Sequence, residues 1–186
     1  MVEKFYERKC PVKYCSEIGD LVIGRILDRQ GEHYRVDIGD RFEALLQFYD
    51  FEGATKRNRP NLDHGDLVYV RVLRTSQNTG AMLTGKSLNN KKTWSSGEAE
   101  FGPLTGGYPL TCPISLIQHL MNPKGCENLE SLGQCFKFDL VLGYNGKIWL
   151  STLDPIKTII IANALQKVTL PVSEFSTLLN KIKSFC

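Results

Sequence analysis

Three Gly-Asp pairs, Gly19-Asp20, Gly39-Asp40 and Gly65-Asp66, punctuate the first half of the chain and leave between them short runs with the chemistry of β-strands. Leu21–Leu27 is β-rich and carries Gly24 inside it, and a glycine within a strand marks a bend or a close backbone approach. Gly31 closes a turn. Tyr34–Ile38 then alternates, with Tyr34, Val36 and Ile38 on one face and Arg35 and Asp37 on the other. Ala44–Phe48 is a third short strand. After a long polar connection, Leu67–Leu73 sets Val68, Val70 and Val72 against Tyr69 and Arg71, and Ala81–Thr84 follows a turn at 77–80. Five short strands, a bend glycine in the first and a long third connection predict an OB-type barrel, whose closure removes exposed sheet edges. Another small barrel or an open antiparallel sheet is the competing reading.

The second half mixes element types. Residues 89–107 are rich in Asn, Lys, Ser and Gly and show no sustained period, which reads as a linker. Pro109–Cys112 suits a short strand. Pro113 stands where a helix begins, with Ile114, Ile117 and Met121 along one side until Asn122-Pro123 stops it. Phe136, Phe138, Leu140 and Leu142 share one face of a strand. The chain turns back through Tyr144-Asn145-Gly146-Lys147 into Ile148–Ser151. Asn-Gly between alternating apolar runs is a strong hairpin signal, because both residues tolerate positive φ. A two-residue turn there pairs Leu142 with Trp149 and Val141 with Leu150. Both hairpin faces are largely apolar, so two covers are required. One is a helix capped by Asp154 and opened by Pro155, with Ile156, Ile159, Ile160, Asn163, Ala164 and Lys167 at helical spacing. The other is the barrel itself. Ser173 is read as the cap of a last helix through Lys183, striped by Phe175, Leu178, Leu179 and Ile182.

At 186 residues the chain can hold two small domains, each with its own core. The proposed division is an N-terminal arm at 1–14, the barrel at 15–92, a linker at 93–106 and an α+β module at 107–186. No apolar run approaches the roughly 20 residues of a membrane span, and Met1–Pro11 lacks the apolar core of a secretory signal. The six cysteines form no Cys-x-x-Cys pair, so free thiols are expected, with no metal and no cofactor. Basic residues are uneven: residues 1–93 hold 16 Lys and Arg against 13 Asp and Glu, whereas 94–186 hold 7 against 7. A basic first half is compatible with a polyanionic partner or with a plain solvated surface.

The run Phe51-Glu52-Gly53-Ala54-Thr55-Lys56-Arg57-Asn58-Arg59-Pro60-Asn61, followed by Gly65-Asp66, resembles the corresponding stretch of the exosome component 3 family, also called the ribosomal RNA-processing protein 40 family. Gly143-Tyr144-Asn145-Gly146-Lys147-Ile148-Trp149 is similar to the Gly-x-Asn-Gly signature of these RNA exosome cap subunits. The resemblance runs from about Pro11 to Lys167. It implies a ribosomal-protein-S1-type OB barrel followed by a KH-like module, seated on a ring of RNase-PH-like subunits. The implied task is non-enzymatic: binding single-stranded RNA and guiding it into the exosome for 3′-to-5′ processing or degradation. Ribosomal RNA precursors, small stable RNAs and messenger RNA are the implied substrates, and nucleus, nucleolus and cytoplasm the implied compartments. Family members usually carry a further N-terminal β module, whereas only the arm at 1–14 precedes the barrel here, as either a fragment or a reduced version would have it.

An S1-type barrel binds single strands by stacking bases on aromatic side chains while Lys and Arg follow the phosphates. Tyr34, Phe42 and Tyr49 are the candidate stacking residues, each with core packing as the alternative. Lys56, Arg57 and Arg59 form the densest basic group and lie in the long connection, where they contact RNA or dock on an acidic neighbour. A typical KH module clamps RNA with a Gly-x-x-Gly loop between helices, and none stands at 122–126. Gly143, Asn145 and Gly146 are therefore read as backbone requirements of the hairpin and Trp149 as a packing anchor. Asp20, Asp37, Asp40 and Asp66 sit at strand ends or turns, where Asp serves local hydrogen bonds, so no catalytic residue is assigned. A free-standing RNA-binding regulator or translation-associated factor is the rival function.

Overall fold

The computed structural model describes residues 13–76, 78–88, 92–96, 98–122 and 126–183. Five strands close a barrel: β1 (Leu21–Gln30), β2 (His33–Asp37), β3 (Ala44–Phe51), β4 (Leu67–Arg74) and β5 (Met82–Gly85). The order around it is β1-β2-β3-β5-β4, with β4 returning to pair β1. Every pairing is antiparallel except β3 with β5, as the OB topology requires. The alternation read from sequence sets the inside: Val22, Val36, Leu46, Val68, Val70 and Val72 are all buried in one core. Gly24 faces that core too. A Cβ there would lie 2.3 Å from Val36 Cγ1, so the strand glycine is a close approach across the barrel.

The stretch after the barrel is more ordered than its composition predicts. A single 3-10 turn, Trp94–Ser96, packs on the barrel core, with the Trp94 N–H donating to the Glu52 carbonyl at 3.0 Å. A short strand β6 (Gly102–Leu104) adds to β4. Phe101 packs on Tyr69 at 5.4 Å between ring centroids. The polar composition hid β6 because it has only three residues and takes its stability from β4.

The second module has strands β7 (Tyr108–Thr111), β8 (Asp139–Gly143) and β9 (Lys147–Ser151) in the order β7-β9-β8. Helices α1 (Ile114–Met121), α2 (Cys126–Cys135), α3 (Pro155–Leu165) and α4 (Val172–Lys183) surround it. Its core joins Ile117, Leu120, Leu132, Ile148, Leu150, Ile161, Leu165 and Phe175. The fold is therefore the expected one, a five-stranded OB-type barrel followed by a KH-like α+β module.

Four local expectations are corrected. The hairpin loop has three residues, Tyr144 to Gly146, so Leu142 pairs with Ile148 and Val141 with Trp149. Only Gly146 adopts positive φ (75°), because the Asn145 side chain is committed elsewhere. Helix α4 begins at Val172, which places Ser173 inside the first turn and not at the cap. Helix α2 was not delimited from sequence, since Glu127, Asn128, Glu130 and Gly133 break up the apolar spacing of Leu129, Leu132 and Phe136. Helix α3 buries Ile161, Ala162, Ala164 and Leu165, and leaves Ile156, Ile159 and Asn163 exposed. Of the expected stripe, Ile160 and Ala164 pack in the core whereas Ile156, Ile159, Asn163 and Lys167 face out, since a helix with apolar residues on most sides carries little periodic signal of which side is covered. Asp154 caps α3 as expected, accepting from the Ile156 N–H at 3.0 Å.

Candidate nucleic-acid interface

Strand alternation puts His33 and Arg35 of β2, and Leu45, Gln47 and Tyr49 of β3, on the outside of the barrel. Phe42 stands just before β3, 38% exposed, with the Arg41 guanidinium 5.2 Å from its ring centroid. From Phe42 to Tyr49 the strand rise spans roughly 23 Å, enough for several nucleotides. Beside Phe42 lies a shallow depression of about 390 Å³ walled by Gln30, Arg41 and Asn78.

At the far end the basic connection folds against this face. The guanidinium of Arg59 lies 4.7 Å from the Phe48 ring centroid and 5.6 Å from that of Tyr49, with Nη1 3.5 Å from the Tyr49 hydroxyl. The cation is thus held at the rings by cation–π contact. Lys56 and Arg57 are exposed at a turn that Thr55 and Asn58 close, the Thr55 N–H donating to the Asn58 carbonyl at 2.8 Å and the Asn58 N–H to Thr55 Oγ1 at 3.1 Å. Neither side chain makes an ion pair with a described residue.

Two residues hold the connection in shape. Tyr34 is 2% exposed, so its ring is core and cannot stack a base; this removes it from the stacking candidates. Its hydroxyl instead donates to the Pro60 carbonyl at 2.9 Å and accepts from the Leu62 N–H at 3.3 Å. Arg29 donates from Nε and Nη2 to the Leu62 carbonyl at 3.0 and 2.7 Å, and from Nη2 to Asn61 and Asp63 at 2.8 Å. Sequence reasoning missed Arg29 and Arg41, for nothing in an isolated arginine shows what it will meet.

Arg35, in the middle of the face, is held by Asp28 and by Glu43 at 3.0 Å. The Arg35 hydrogen bond keeps the Asp28 carboxyl below the usual carboxylate range. Arg35 is thereby neutralised, and the cations left to meet phosphate are at the two ends.

The hairpin signature meets the barrel at the start of β1 and the end of β2. Asn145 is 8% exposed: Nδ2 donates to the Ile23 and Ile38 carbonyls, each at 2.8 Å, and Oδ1 accepts from the Ile23 N–H at 3.3 Å. The Tyr144 N–H donates to the Leu21 carbonyl at 2.8 Å. A Cβ on Gly143 would lie 2.4 Å from Asn145 Oδ1 and 2.9 Å from the Ile23 nitrogen, and one on Gly146 2.7 Å from the Cys112 carbonyl oxygen. Both glycines answer close backbone approach. Lys147 Nζ donates to the Asp37 carbonyl at 3.2 Å, and burial pulls its ammonium below the ordinary lysine value, Asp37 opposing and Arg25 reinforcing the shift. Burial pushes Tyr69, beside Phe101, up to about 12. Trp149 is packed against Gly107, where a Cβ would lie 2.2 Å from its ring.

The predicted turn aspartates serve local bonds: Asp20 accepts from Tyr14 Oη at 2.8 Å, Asp37 from the Gly39 N–H at 2.9 Å, Asp40 from the Arg41 N–H at 2.6 Å and Asp66 from the Asp63 N–H at 2.8 Å, and Asp40 also accepts from the distant Ser16 N–H at 3.0 Å. Among the described residues no group of three His, Cys, Asp or Glu side chains is placed to hold a metal ion, and no helix is long and apolar enough to cross a membrane.

A barrel of this topology welded to a three-stranded KH-like module defines an S1–KH protein. The family profile of the S1 domain of exosome complex component RRP40 matches residues 14–95, and that of the KH domain matches residues 107–156. The chain belongs to the exosome component RRP40 family. It is 33% identical to exosome complex component RRP40 of Mus musculus over 89% of this chain and 56% of that one. It is 34% identical to the Schizosaccharomyces pombe protein of the same name over 83% of this chain and 62% of that one. The chain thus spans about three-fifths of the length of the curated relatives it matches. Its fold is similar to a crystal structure of a provisionally assigned exosome complex RNA-binding protein, with a TM-score of 0.72 at 19% identity, covering 92% of this chain and 96% of that one.

Proposed function

We propose that the chain is a non-catalytic RNA-binding subunit of the RNA exosome, guiding single-stranded RNA toward 3′-to-5′ processing or degradation by other subunits. The observation that carries this reading is the outer face of β2 and β3. It offers a stacking ring with a cation at each end, Phe42 with Arg41 and Tyr49 with Arg59, and two further cations on a braced loop. Aromatic platforms with flanking cations bind single strands with little regard to sequence. The relatives named exosome complex component RRP40 support the assembly as the setting. RNase-PH-like ring subunits are the partners this reading assigns, and nucleus, nucleolus and cytoplasm the compartments.

The test has two arms. Fluorescence polarisation with a labelled single-stranded RNA measures binding by the purified chain, and affinity capture of tagged chain from cells identifies its stable partners. RNA binding together with recovery of RNase-PH-like subunits is expected. Recovery of ribosomes or messenger RNA alone would favour a free-standing regulator, and degradation of the RNA by the purified chain would overturn the non-catalytic assignment.

A further inference from the structure

Asn145-Gly146 is the one Asn-Gly pair in the chain. In such a pair no Cβ shields the glycine nitrogen from the asparagine side-chain carbon, which makes the dipeptide chemically labile. The fold nevertheless demands both members. Gly146 adopts a φ of 75°, and a Cβ there would lie 2.7 Å from the Cys112 carbonyl oxygen. Asn145 must donate to the Ile23 and Ile38 carbonyls and accept from the Ile23 N–H, and an aspartate would bring no donor.

The docked hairpin withholds what the reaction needs. Three hydrogen bonds aim the Asn145 amide at the barrel, and the residue is buried. Gly143 packs against that amide so closely that a Cβ on it would lie 2.4 Å from Asn145 Oδ1. The nucleophile is engaged as well, for the Gly146 N–H donates to the Gly143 carbonyl at 3.1 Å, which keeps its proton in place. The Ile23 N–H polarises the Asn145 carbonyl, but an immobile amide and an occupied nitrogen give that polarisation nothing to act on. All of these restraints lapse together once the hairpin leaves β1.

We propose that Asn145 is a modification site gated by docking: shielded while the hairpin sits on the barrel, and converted to aspartate and isoaspartate when the hairpin stays off it. The Gly146 nitrogen bonds to Asn145 Cγ, the Cγ–Nδ2 bond breaks, and the amide nitrogen leaves as ammonia carrying the Gly146 proton. Water then opens the resulting succinimide at either carbonyl, and nothing is oxidised or reduced. The product cannot take its old seat. Both donors to the Ile23 and Ile38 carbonyls are lost, a carboxylate faces those oxygens, and the iso form adds a methylene to the backbone of a three-residue loop. The seam between the modules therefore keeps an irreversible record of time spent apart, whether or not the chain binds RNA.

The test holds the full chain folded in buffer or unfolded in urea at one pH and temperature, and counts aspartate and isoaspartate at position 145 by peptide mass spectrometry. Asn78, exposed in a turn, is the internal reference. In urea Asn145 should react faster than Asn78, and folding should lower the ratio of the two rates at least about tenfold. Gly143→Ala presses on the amide without altering the reacting pair, so its folded chain should react at Asn145 at least about tenfold faster than folded wild type, with equal rates in urea. Should that variant not fold, Lys147→Ala, which removes the Nζ bond to the Asp37 carbonyl, is read in its place with the same sign expected. Chain aged in urea and then refolded should have a lower unfolding midpoint than chain refolded at once. Four results each overturn the proposal: a rate ratio unchanged by folding, an Asn145 that trails Asn78 in urea, a folded variant no faster than wild type, or modified chain that refolds to the wild-type midpoint.

Discussion

Asn145 pairs with Ile23 as a strand residue would, accepting from its N–H at 3.3 Å and donating to its carbonyl at 2.8 Å across 122 residues of sequence. The reason lies in the barrel. Strand β1 meets β4 from Leu21 to Arg25, but meets β2 only from Arg25 onward, where Arg25 opposes Asp37. The β2-facing backbone of Leu21 and Ile23 therefore has no strand beside it, and the hairpin tip supplies the missing partners through Tyr144 and Asn145.

Replacing Asn145 by Ala leaves one N–H and two carbonyls buried without partners. Buried unsatisfied groups cost about 1–3 kcal/mol each, partly recovered by water, so a loss of about 2–4 kcal/mol is expected. Urea unfolding measures it. Asn145→Asp should be worse, because a carboxylate would face the Ile23 and Ile38 carbonyls.

The double change Lys56→Ala and Arg57→Ala removes two exposed cations that have no ion-pair partner among the described residues. Stability should stay within about 0.5 kcal/mol of wild type. RNA affinity should fall, and the slope of log affinity against log salt should become shallower by about 0.7 for each lost phosphate contact. A salt titration of RNA binding gives both numbers. An unchanged slope would assign the loop to protein docking.

Phe42 and Tyr34 should separate cleanly. Phe42→Ala removes an exposed stacking ring, costing RNA binding about 1–3 kcal/mol with little change in folding. Tyr34→Phe removes the hydroxyl that bridges Pro60 and Leu62, costing stability about 1–3 kcal/mol and weakening RNA only through the loosened loop. Thermal unfolding and fluorescence polarisation on the two variants distinguish the roles.

Burial pushes the Cys112 thiol up to about 11. A raised value means the thiolate is scarce near neutral pH and its share grows only as pH nears 11. Iodoacetamide at pH 8 should label the exposed Cys15 well before Cys112, read residue by residue by mass spectrometry, and the lag should narrow as pH rises.

The barrel was legible because its strands are half-buried and alternate, so Val36, Val68, Val70 and Val72 declare the inside before any coordinate is known. The hairpin was legible as a hairpin, but its register was not. Asn-Gly signals a two-residue turn only if Asn is free to take positive φ, and Asn145 is held by carbonyls more than a hundred residues away. Tyr34 could be placed on the core face from its alternation, yet its use as a brace for Pro60 and Leu62 is a tertiary fact. Arg29 and Arg41 acquire meaning only when the fold delivers Leu62 and Phe42 to them. Helix α3 misled for the opposite reason: an element with too many apolar residues hides which face is used.

During synthesis the first strand leaves the ribosome long before the residue that finishes its edge. At roughly 5–20 residues per second, the 122 residues separating Ile23 from Asn145 take about 6–24 s. Within that interval, once β5 is complete at Gly85 and the barrel can close, its backbone groups at Leu21 and Ile23 stay open to the wrong neighbour until the hairpin arrives. The second module thus acts as the first one's late chaperone, and truncations ahead of Asn145 should yield a barrel that is sticky in proportion to its unfinished edge.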